Sequence, residues 1–84
     1  MIAPLARVTL ATVRFGLHTG APILDLVELH ALCVLAVIRA DSSTGKMLLG
    51  QARAKAGRIC RARAAIVTAR MAETRQPLLL EAHA

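Results

Sequence analysis

The seventeen residues from Ile23 to Arg39 (ILDLVELHALCVLAVIR) constrain this chain more than any other stretch. On a helical wheel Asp25, Glu28 and Arg39 fall in a sector about 60° wide, and most of the remaining surface is apolar. A helix with so narrow a polar strip needs cover on most of its sides. In a chain of 84 residues that cover must come from the flanking segments or from another molecule. Asp25 and Glu28 stand in the first two turns and Arg39 in the last, as the helix dipole prefers.

The flanks are punctuated. Thr19-Gly20-Ala21-Pro22 breaks the chain and starts the apolar helix, because proline's missing N–H costs nothing in a first turn. Asp41-Ser42-Ser43-Thr44-Gly45 is a loop of turn and cap residues, in which Ser43 or Thr44 is the expected cap of the next helix. Residues 46–75 then read as a long Ala/Arg helix stopping before Pro77. Its expected packing arc, about 140° wide, holds Leu48, Leu49, Ala52, Ala56, Ile59, Cys60, Ile66, Val67 and Met71. Arg63 and Arg70 fall inside that arc; Lys46, Lys55, Arg58, Arg61 and Arg75 fall outside it. Residues 1–18 are ambiguous. β-Branched Val8, Thr9, Thr12 and Val13 favour a strand, yet alternation is poor, and as a helix Arg7, Arg14 and His18 share one line.

These readings predict an all-α fold. Two apolar helices join near Gly20-Ala21-Pro22, and a long basic helix packs on them as a three-helix arrangement or as a helical hairpin plus rod. A small α/β arrangement with strands near 7–15 and 32–38 is the fallback. The expected organisation is one domain over 1–84: a neutral apolar half (1–42), a basic helical half (43–76) and a short tail (77–84).

The core has little volume to work with. Apolar residues make up 56% of the chain, but Phe15 is the single aromatic, so packing relies on Ala, Leu, Val and Ile. Cys33 and Cys60 read as buried apolar thiols rather than as a disulfide framework. So small a core raises the prospect that a second copy, a partner helix or a lipid surface completes it.

Charge separates the halves. Residues 1–42 carry three arginines against three carboxylates, whereas 43–84 carry eight cations against two, so the net charge of +6 sits in the second half. That asymmetry points to an anionic partner, met through Arg53, Lys55, Arg58, Arg61, Arg63 and Arg70. The expected function is therefore a non-catalytic interaction protein that docks its Arg-rich helix on an acidic protein or an anionic membrane surface. The alternative is a nonspecific nucleic-acid binder gripping phosphates. One aromatic, no Asn and only Gln51 and Gln76 leave nothing for base stacking and little for base readout. A third reading is a chain without a selected role: Ala, Arg, Gly and Pro supply 34 of 84 residues, as GC-rich codons would in any frame.

Other chemistries find little support. A membrane span needs about 20 consecutive apolar residues, and the best candidate, 17–38, is interrupted by Asp25, Glu28 and His30. The first 24 residues have two arginines, three threonines and no acid, the composition of an organellar transit segment, so import stays open beside a cytoplasmic or membrane-peripheral location. His30 and Cys33 share a helical face, and Cys60 makes three scattered candidates, short of a structural zinc set. No cofactor is expected, and two turn serines with three scattered histidines assemble no nucleophile.

One local string resembles a known family. Ala40-Asp41-Ser42-Ser43-Thr44-Gly45-Lys46 comes after the aliphatic run Leu32 to Ile38 and precedes a helix, so it resembles a P-loop and is similar to the loop of bacterial enhancer-binding ATPases. The resemblance implies loop N–H groups and Lys46 on phosphates, with Met47 where the magnesium-binding hydroxyl usually stands. It covers about ten residues. Only 38 residues come after Lys46, too few to build the parallel sheet that holds such a loop, so the string reads as a capped helix start.

Overall fold

In the computed structural model the chain is all-α. The structure describes the backbone of residues 2–83 and the side chains of residues 2–73. Three helices succeed one another: α1 (Ile2–Thr19), α2 (Ile23–Ile38) and α3 (Ser43–His83). The alternative strands near 7–15 and 32–38 are helical, within α1 and α2.

α1 accommodates its threonines by turning their hydroxyls inward on the backbone. Thr9, Thr12 and Thr19 donate to the carbonyls of Leu5, Val8 and Phe15 at 3.1, 2.9 and 2.8 Å. Each of these hydroxyls is satisfied within the helix, so no threonine needs a partner from another element. The helix ends at Gly20, whose φ of +65° is the left-handed conformation of a helix stop and whose N–H donates to the Gly16 carbonyl at 2.8 Å. Pro22 then restarts the chain, and its carbonyl accepts from Leu26 N–H at 3.2 Å.

The cap of α3 is Ser42, one residue before the two expected. Its Oγ accepts from Gly45 N–H at 3.1 Å and donates to the Arg39 carbonyl at 2.8 Å. Gly45 is required by close approach: a Cβ there would overlap the Arg39 carbonyl oxygen. The P-loop-like string is thus a helix-to-helix turn, preceded by α2 rather than by a strand.

α2 lies in the middle, as its wheel demands. One side meets α1, where Gly16 lets the helices approach so closely that a Cβ would stand 2.6 Å from Leu26 Cδ1. Its other side packs on α3. Leu29, Ala52 and Ile59 form the buried centre, with Phe15, Ala21, Leu32, Cys33 and Ala56 packed against it. Burial of the Cys33 thiol raises its pKa above the ordinary cysteine value, whereas Cys60, expected in the packing arc, is exposed.

The stripe of α3 that turns inward is Gly45, Leu48, Ala52, Lys55, Ala56, Ile59 and Arg63. It is narrower and smaller in side-chain volume than the expected arc. Leu49, Ile66, Val67 and Met71 belong to that arc but are exposed. The reason is length. Forty-one residues of α3 rise about 61 Å, whereas α2 has 16 residues and spans about 24 Å. Cover ends where Arg63 comes alongside Gly20, and every side chain from Ala64 to Glu73 is exposed. The molecule measures 64 × 22 × 16 Å.

α3 also runs past the expected stop. Its backbone is helical through Pro77 to His83, so the tail continues the helix. Proline there removes one backbone bond and crowds the carbonyl four residues earlier, at a cost of about 3 kcal/mol. The side chains of Arg75 and of the tail from Pro77 onward lie outside the described residues. No helix among the described residues is long and apolar enough to cross a membrane.

Candidate docking surface for an anionic partner

The surface is built on α3, and α2 sets its orientation. Lys55 is the anchor. Its Nζ stands 2.7 Å from Glu28 Oε2 and 3.3 Å from Asp25 Oδ1, with the side chain 14% exposed. The Glu28 hydrogen bond raises the lysine pKa above its ordinary value; desolvation opposes this, and Asp25 adds to the rise. Asp25 and Glu28, three residues apart on α2, therefore share one cation from α3. Lys55 joins the two helices, and its ammonium is occupied within the fold.

With that side fixed, the opposite side of α3 faces outward. Lys46, Arg53, Arg58 and Arg61 lie there within about 140° of arc and are exposed. Lys46 to Arg61 covers about 22 Å of helix. Residues 43–72 contain no acidic residue, and Arg53, Arg58 and Arg61 form no ion pair among the described residues. Gly50, Ala54, Gly57 and Ala64 lie between them, so the surface among the arginines is built of small residues. Arg61 folds back along the helix, its Nη1 3.3 Å from where a Gly57 Cβ would stand.

The six residues expected to meet an anion thus separate into three groups. Arg53, Arg58 and Arg61 share the outward face. Lys55 is held by α2, and Arg63 is half-buried beside Gly20. Arg70 is exposed on the length of α3 beyond the hairpin. Lys46 joins the outward group although sequence reasoning left it out; its place opposite the inward stripe was already visible from the wheel. The Lys55 bridge had no local signal, since its partners lie 30 and 27 residues away. The one hint was the i, i+3 spacing of two carboxylates on one face.

Elsewhere, Thr9 Oγ1 and His30 Nε2 stand 3.0 Å apart. This hydrogen bond between Thr9 and His30 ties α2 to α1. No three His, Cys, Asp or Glu side chains converge as a metal site among the described residues. No protein-family model, curated protein or solved structure matches this chain.

Proposed function

We propose that this protein is a non-catalytic interaction protein that docks the outward face of α3 on an acidic protein surface. The observation that carries the proposal is that Arg53, Arg58 and Arg61 share one exposed face with no intramolecular carboxylate among the described residues, while Lys55 holds the opposite side of the same helix to α2. Unpaired guanidinium groups on a pre-formed helix suit carboxylates, which they grip in bidentate pairs. Gly50, Ala54 and Gly57 lie between the arginines, and Met47 is the one large apolar side chain on this face among residues 46–61. A single methionine is little for insertion into a bilayer, which favours a protein over a membrane. On this reading the chain acts in the cytoplasm or at a membrane periphery, with organellar import as the alternative.

Binding to polyglutamate, to anionic vesicles and to duplex DNA, measured in parallel, tests this. Replacing Arg53, Arg58 and Arg61 by Gln should weaken polyglutamate binding about tenfold, the loss expected from three exposed charges worth roughly 0.5 kcal/mol each. Unchanged polyglutamate binding contradicts the proposal. Tighter binding to vesicles would move the reading to a membrane surface. Tighter binding to DNA with a steep salt dependence would move it to nucleic acid.

A further inference from the structure

The side of the molecule away from α3 is apolar and uncovered. Val13 and Leu17 of α1 and Ile23 and Val27 of α2 line one open groove between the two helices. All four are more than half exposed, Leu17 at 82% and Ile23 at 75%. Phe15 and Leu29, on the opposite sides of the same helices, pack toward α3. Leu10 extends the stripe on α1, and Leu24 and Ala31 extend it on α2, at the three- and four-residue spacings of a helix-packing seam.

We propose that a second copy of this chain covers this face, the two α1–α2 hairpins packing as a four-helix core about a two-fold axis. Three observations favour a copy over other occupants. The exposed area is 6523 Å², where a compact monomer of this mass exposes about 4,800 Å². The excess of about 1,700 Å² is shared between the open α1–α2 face and the length of α3 beyond Arg63, and a stable interface needs roughly 800 Å² of it per partner. Secondly, only Leu29, Ala36, Ala52 and Ile59 are buried apolar residues among those described, while fourteen large hydrophobic residues are exposed. A core that small needs completion. Thirdly, the groove is lined by no Asp, Glu, Lys or Arg, with His30 its one titratable side chain, and the basic face of α3 lies on the far side. Pairing through the hairpins therefore keeps the two cationic faces apart, whereas lying on an anionic bilayer by this groove would turn the α3 arginines away from the lipid.

Light scattering on the eluting full-length chain, with circular dichroism, tests this. The expected mass is twice 8.9 kDa, unchanged at high salt. High salt would abolish docking through α3, so the two proposals fail separately. Replacing Leu17 and Val27 by Glu should give the monomer mass with the helical signal intact. Met47→Glu, on the outward face of α3, should leave the dimer unchanged. If the double variant loses its helical signal, Leu17→Lys alone takes its place with the same readings. A wild-type monomer, with or without vesicle binding, overturns the proposal. So does a groove variant that keeps the double mass, or a Met47→Glu variant that loses it.

Discussion

Ile59 and Ile66 lie one heptad apart on α3, within about 20° of the same line, and meet opposite fates. Ile59 is 8% exposed and part of the buried centre, while Ile66 is 48% exposed. The two lengths of helix around them share a composition of Ala, Arg and scattered aliphatics. What separates them is the partner. α2 reaches as far as Ile23, the Gly20 turn comes alongside Arg63, and beyond that α3 has nothing to pack on among the described residues. Periodicity assigns a residue to a face; the length of the neighbouring helix decides whether that face is covered.

The comparison can be broken at three points of decreasing effect. Ile59→Asp buries a carboxylate among Leu29 and Ala52, and should cost about 3 kcal/mol or more, enough to abolish a cooperative thermal melt. Next comes Lys55→Met, which removes the bridge to Glu28 and Asp25. The lysine pKa is raised in the folded protein, so its contribution is complete below the unfolded value near 10.5 and is lost as pH rises through the folded value. The melting temperature of the wild type should therefore exceed that of Lys55→Met at neutral pH, and the gap should close at strongly alkaline pH. A gap independent of pH would show that the ammonium is not what joins the helices. Smallest is Ile66→Asp, expected to change stability by no more than about 0.5 kcal/mol. Equal losses for Ile59→Asp and Ile66→Asp would erase the distinction between the two lengths.

The same residues show what was legible in the sequence. α2 was, because three charges in one narrow sector leave a single way to bury the rest. The turn at Gly20 was also legible, since glycine and proline punctuate with backbone geometry alone. The cap was displaced by one residue because Ser42, Ser43 and Thr44 are all competent, and only tertiary geometry chooses among them. The packing arc expected for α3 is wider than the stripe used, reaching to Leu49, Cys60 and Val67, because a wheel counts every apolar residue toward the buried face. The stripe used keeps Leu48, Ala52, Ala56 and Ile59 of that arc and adds Gly45, whose small volume permits close approach, and Lys55, whose partners are distant in sequence. The docking surface inherits that difference. Arg53, Arg58 and Arg61 were found because charge density is local. The removal of Lys55 from their company was not, because an ion pair between helices leaves no local pattern.

Amide hydrogen exchange along α3 tests the central claim most directly. Packing on α2 up to Arg63 predicts that amides from about residue 50 to 62 exchange slowly, and that those from 66 to 73 exchange far faster, near the rate of an isolated helix. Uniform protection across both lengths, or fast exchange throughout, would contradict the account.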